Sequence, residues 1–188
     1  MDNLVTKLFV IFQNVNDWLK FAEAKNAALF AFSATGLAVP VTLLATVQNL
    51  PNALRLGLAT ATFLLCTCSL LCAWSFLPQT NLEKLIWIRT KTFQAMRPNS
   101  SDNLYYFGHL KKYGVDSLLN SINQNYFNNT VVQPYTREAN DLASQIIINS
   151  SIAFRKYQLF TSSAYCLVAA ILAVPGILLF SLILFRGI

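Results

Sequence analysis

Three long stretches of the chain lack charge, and they frame everything between them. Residues 27–47 and 56–77 contain no Asp, Glu, Lys or Arg, and each reaches the roughly 20 residues a helix needs to cross a bilayer. The segment between them, QNLPNALR, leaves room only for a tight turn, which predicts an antiparallel transmembrane hairpin. Residues 158–185 form a third uncharged run, long enough to cross tilted. Pro175-Gly176 interrupts it, and a proline inside a helix removes a donor and clashes with the preceding turn, so a kink is expected there. A hairpin turning at Pro175 is the alternative, but its arms of about ten to seventeen residues are mostly too short to cross. One kinked span is the expectation.

Ahead of the first run, Leu4, Leu8, Ile11, Val15 and Trp18 alternate at spacings of four and three, which is one helical stripe. Phe9, Phe12 and Leu19 widen it, while Gln13, Asn14, Asn16, Asp17 and Lys20 take the other side. Such a helix can lie on a membrane surface or pack in a bundle. Between the second and third runs the pattern breaks into short helices. Thr80 and Glu83 form a capping box after Pro78, and Ser100-Ser101-Asp102 can cap a helix NLYYFGHLKKYG closed by Gly114. Asp116 opens DSLLNSINQNYF. Thr136 can cap a long fourth helix whose residues Leu142, Ile146, Asn149, Ala153 and Tyr157 share a face, and no breaker follows before Pro175.

The expected fold class is therefore an all-α integral membrane protein. Residues 1–26 form an amphipathic N-terminal helix and 27–77 a transmembrane hairpin. Residues 78–157 form a cytoplasmic helical region, and its last helix continues into a third span at 158–185. Composition agrees: 55% of residues are hydrophobic and 12% charged, with a mean hydropathy of +0.46, too little polar surface for a soluble domain of 188 residues. Nine of the fourteen Lys and Arg lie between the second and third runs and three precede the first. By the positive-inside rule the N-terminus and the central region are cytoplasmic. The first run starts too late, and lacks a cleavage pattern, to be a secretory leader.

Chemistry is sparse. No phosphate loop, zinc-protease motif or nucleophile elbow is present, and His109 is the one histidine, so no enzyme is expected. Cys66, Cys68, Cys72 and Cys166 fall inside the apolar runs, where a thiol acts as a small hydrophobe. A metal site at Cys66, Cys68 and Cys72 is the sharper reading, but no histidine or carboxylate accompanies them, and neither metal nor cofactor is expected. The central region is cationic and aromatic: Trp87, Arg89 and Lys91 on one segment, Tyr105, Tyr106, His109, Lys111 and Lys112 on another. These residues either set topology and fill a core, or offer charge to a phosphate and ring faces to a base. Glu23 and Lys25, two apart at the lip of the first run, cannot face each other. They either fix the depth of the span or join a polar collar at the mouth of an oligomeric assembly.

Three segments carry a family resemblance: AEAKNAALFAFSATGLAV with Glu23 and Lys25; NLYYFGHLKKYG with Phe107, His109 and Leu110; and DLASQIIINSSIAFRKYQLF with Leu142, Ala143, Gln145, Ile146, Lys156 and Tyr157. Together, from about Trp18 to Ile183, the chain resembles the transmembrane effectors of bacterial Pycsar anti-phage systems, and more distantly the SLATT-like two-span effectors. Glu23 stands where the family pattern has aspartate. The resemblance implies a nucleotide-gated effector in the inner membrane that senses a cyclic pyrimidine mononucleotide, cCMP or cUMP, and impairs the membrane, arresting or killing the infected cell. It also implies a homo-oligomer whose partners are the bilayer and a cyclic nucleotide, with no nucleic-acid polymer. On that reading Arg89, Lys91, Tyr105, His109, Lys111 and Lys112 bind the ligand, and Gln145, Asn149, Arg155 and Lys156 lie on the coupling helix. A structural membrane adaptor that holds a cytoplasmic partner protein is the alternative, and a small transporter subunit ranks below it.

Overall fold

The computed structural model describes residues 3–77 and 98–186. Among these residues every regular element is a helix: α1 Asn3–Gly36, α2 Ala38–Thr46, α3 Asn52–Ser75, α4 Phe107–Leu110, α5 Val115–Phe127 and α6 Arg137–Arg186. The chain divides into two compact units, one comprising described residues 3–22 and 98–156, the other 23–77 and 157–186. Helices α1 and α6 each contribute to both. The expected capping box at Thr80 and Glu83, with Trp87, Arg89 and Lys91 beyond it, lies outside the described residues.

The first unit is a helical bundle. Leu4, Leu8, Ile11 and Val15 are at most 4% exposed and share a core with Leu104, Leu110, Leu118, Leu119, Ile122 and Ile146. Each such side chain stabilises the bundle by about 1.5–3 kcal/mol relative to exposure. The N-terminal stripe therefore packs in a bundle, and Trp18 ends it against Phe107 with ring centroids 5.7 Å apart. On the part of α6 in this unit the fully buried positions are Ala139, Ala143, Ile146, Ser150 and Ala153. The sequence pattern placed the face one register over, at Leu142, Ile146, Asn149, Ala153 and Tyr157, because small residues carry little hydropathy signal. Thr136 does cap α6, its hydroxyl accepting the Ala139 amide at 3.3 Å.

The helix expected over Asn103–Gly114 is shorter, reduced to α4. Asn103 Oδ1 accepts the Tyr105 amide at 2.9 Å, and the Asn103 amide donates to His109 Nδ1 at 2.9 Å. These local bonds offer the backbone a turn in place of a helix. Asp102 does not cap it either: its carboxylate turns back onto the Asn99 amide at 2.9 Å. Helix α5 starts where expected, with the Gly114 amide donating to Ser117 Oγ at 2.9 Å, and ends at Asn128 and Asn129 with φ of 49° and 60°. Asparagine tolerates that left-handed region better than most residues.

The second unit holds three helices long and apolar enough to cross a membrane. The first is built from α1 and α2 in sequence. Pro40 has no amide proton for the Gly36 carbonyl, which interrupts the ladder at Leu37, while Leu37 and Val41 keep their bonds to Ser33 and Leu37. Helix α6 runs on through Pro175 to Arg186, a single helix of 50 residues. Their outward faces are apolar, with Phe63 70% and Ile183 72% exposed, surface that hydrocarbon covers better than water.

Inside this unit the contacts are small and close. Ser69 donates to Ser33 Oγ at 2.9 Å while Ser33 donates to the Phe30 carbonyl at 3.1 Å, bonding α1 to α3 within the apolar segment. Cys68 and Cys72 are fully buried on the inner face of α3 and Cys66 is exposed, so the three thiols do not converge. Ser69→Ala is expected to destabilise the packing of α1 on α3 by about 0.6–1.7 kcal/mol, the range for one hydrogen bond between membrane helices. Equilibrium unfolding in mixed micelles measures it, and no change would mean that Ser33 holds the helix pair without Ser69.

Candidate functional site

The cationic segment after residue 98 is organised by Asp102, which the sequence pattern offered only as a helix cap. Its side chain is 4% exposed and its Oδ1 takes the Lys112 ammonium at 2.8 Å. Oδ2 accepts the Asn99 amide, and His109 Nδ1 stands 3.6 Å from Oδ1. Burial on its own would raise the Asp102 pKa, but the Asn99 amide and the Lys112 charge outweigh it and hold the carboxyl below its ordinary value. The neighbouring Tyr113 phenol moves up, mainly through burial and then through the Asp102 charge.

His109 is half-exposed. Its Nδ1 accepts the Asn103 amide, which leaves Nε2 to carry the ring proton in the neutral form, and the Tyr106 ring meets it edge-on at 5.2 Å. Lys112 and His109 come together around a buried carboxylate that already answers the Lys112 charge.

Lys111 goes elsewhere. It is 8% exposed, and its Nζ sits 2.9 Å from the centre of the Phe154 ring on α6. Burial, then the Lys112 charge beside it, lowers its pKa. This cation joins the α4 segment to α6 by a cation–π contact. A second tie joins α1 to α6: Asn149 Nδ2 donates to Asn16 Oδ1 at 2.8 Å. Of the other residues expected on the coupling helix, Gln145 and Arg155 are exposed and Lys156 is half-buried.

Tyr105 is placed differently again. Its carbonyl accepts Asn14 Nδ2 at 2.7 Å, and its ring stands edge-on to Tyr126 at 6.3 Å. Lys7 lies against both rings, 5.1 Å from Tyr105 and 4.3 Å from Tyr126. Burial, then Tyr105, raises the Tyr126 pKa, with Lys7 opposing. Lys7 and Tyr126 were missed in sequence because the three residues come from three separate elements.

At the lip of the first span, Glu23 is exposed and Lys25 reaches another helix of the same chain, its Nζ 5.8 Å from the Tyr157 ring and 5.3 Å from the Phe160 ring. The buried polar residue of this stretch is Asn26, 0% exposed on the seam shared by Ala22 and Ser33. Among the described residues no group of three His, Cys, Asp or Glu is placed to hold a metal ion.

The Pycsar effector protein domain, PycTM, matches residues 7–184. The Pycsar effector protein RsPycTM of Rhizobium sp. is 28% identical over 166 residues, which is 86% of this chain and 88% of that protein. No solved structure matches. The PycTM match takes in the bundle helices, the Asp102 cluster and all three apolar helices, so the chain belongs to the Pycsar effector protein family.

Proposed function

We propose that this chain is a nucleotide-gated membrane effector of bacterial anti-phage defence. It senses a cyclic pyrimidine mononucleotide through the bundle and impairs the inner membrane, arresting or killing the infected cell. The excess of Lys and Arg around the bundle supports a cytoplasmic bundle and N-terminus. One observation carries this reading beyond family membership: α1 and α6 each run from the bundle core into an apolar segment without a loop, Leu8 and Ser33 lying on one helix, Ile146 and Ala170 on the other. A ligand that binds one arrangement of the bundle better than another shifts these helices by its differential affinity. Assembly of several copies through the exposed apolar faces would then open the bilayer.

The protein reconstituted in dye-loaded vesicles is expected to release dye on addition of cyclic CMP or cyclic UMP, and not on addition of cyclic AMP. Silence with all three, in vesicles where insertion is verified, would sink the gated-effector reading in favour of the membrane adaptor.

A further inference from the structure

The cleft between the first turns of α1 and the last turn of α5 has a volume of about 360 Å³ and is lined by Asn3, Thr6, Lys7, Val10, Tyr126 and Phe127. We propose that this cleft is the nucleotide site, with Lys7 binding the cyclic phosphate and the Tyr126 ring stacking on the base. The proposal rests on the nucleotide-sensing reading and gives it an address different from His109 and Lys112.

Among the described bundle lysines of α1 and the α4 segment, charge points to Lys7. Lys112 is neutralised by Asp102 at 2.8 Å, Lys20 faces Asp17 at 3.5 Å, and Lys111 is buried on Phe154. Lys7 has no carboxylate within ion-pair distance among the described residues; its ammonium rests only on ring faces. A cation held on aromatic rings keeps its full charge for an anion. A phosphate answers that charge without displacing a protein carboxylate, whereas at Lys112 it would have to displace Asp102.

The rest of the lining suits a base and a sugar. Tyr126 is 41% exposed with Lys7 over one ring face, so a base would stack on the other, and its edge-on neighbour Tyr105 fixes its plane. The amide of Asn3 supplies a donor and an acceptor of the kind that read base edges and ribose hydroxyls. The volume lies near the low end for small-molecule sites, about 300–1,000 Å³, suited to one nucleotide and not to two.

A larger cleft of about 790 Å³ opens between α1 and the first turns of α6, but its charges argue against an anion. Glu138 and Asp141 line it, and its cation, Arg137, already faces Asp141 at 3.9 Å.

Binding of cyclic CMP and cyclic UMP to the full-length protein in lipid nanodiscs tests the assignment. Lys7→Gln and Tyr126→Leu are each expected to weaken binding by about tenfold to a hundredfold, the range for losing one charge-assisted bond or one base stack. Tyr126→Phe keeps the ring and is expected to bind within about threefold of wild type, as is Lys112→Gln, with thermal melts confirming that each variant is folded. Wild-type affinity in folded Lys7→Gln and Tyr126→Leu overturns the site and leaves nucleotide sensing standing, as does selective loss in Lys112→Gln. Failure of the wild-type protein to bind either nucleotide overturns both.

Discussion

Leucine in place of Gly57 is expected to separate α3 from α6 and abolish the proposed membrane activity. A Cβ at Gly57 would stand 3.2 Å from the Val174 Cα and 3.7 Å from the Ala173 carbonyl oxygen, so the atoms facing it are mostly backbone and cannot rotate away. Membrane helices associate through close packing, with no hydrophobic drive beyond that of the surrounding lipid, and small residues are what permit the approach. Alanine there asks for a shift of a few tenths of an ångström and is expected to cost less than about 1 kcal/mol. Leucine has no such route. Overpacking of a tight core costs about 1–3 kcal/mol, and a contact against backbone belongs at the top of that range. Unfolding in mixed micelles and dye release from vesicles read the two consequences separately. Leucine at 57 with wild-type stability would show that α3 and α6 do not meet at Gly57.

The same crossing shows what the sequence could and could not convey. Spans were legible because an uncharged run of about 20 residues is a property of consecutive positions, and nothing in tertiary structure can undo it. The N-terminal stripe was legible for a similar reason: Leu4, Leu8, Ile11 and Val15 are large and regularly spaced. Gly57 carries no such signal, since a glycine in an apolar run reads alike whether it faces lipid or a neighbouring backbone. The break at Leu37 was readable from Pro40, which the pattern of uncharged residues conceals. On α6 the buried face is built from Ala139, Ala143, Ser150 and Ala153, whose weak hydropathy let the larger Leu142 pull the stripe one position round.

The candidate site was legible only in composition. Lys111 and Lys112 are adjacent in sequence, yet one is buried on Phe154 and the other pairs with Asp102, because consecutive residues point apart wherever the chain turns. Asp102 and Lys112 are ten apart across an irregular loop, a spacing that no helical or strand period flags. The cage around Lys7 needs α1, α5 and the loop before α4 at once. Such a meeting is a product of the fold, and only the separate residue types could be read in advance.

Asp102 gives the second large effect. Asp102→Ala is expected to destabilise the bundle by about 3 kcal/mol, the lower end of the ~3–5 kcal/mol for breaking a buried pair from one side. The lower end applies because the Lys112 side chain keeps 21% exposure and can turn toward water. Loss of the Asn99 amide's acceptor adds to the effect, and the turn that shortens α4 loosens with it. The sign of the acid dependence follows from the depressed carboxyl pKa. A carboxyl whose pKa is lower in the folded state stabilises that state above the unfolded value of about 3.9, and the contribution is lost as pH falls through the folded value. The wild-type bundle is therefore expected to lose stability on acidification below about pH 4, and Asp102→Ala to show a shallower loss over the same interval. Asp102→Asn retains an acceptor for the Asn99 amide but has no charge for Lys112, so it should fall between the two in stability and follow the alanine variant in acid. Thermal melts of the three proteins at pH 7, 4 and 3 separate these contributions. An alanine variant as stable as wild type at pH 7, or equally sensitive to acid, would mean that Lys112 and the Asn99 amide find other partners and that Asp102 does not organise this segment.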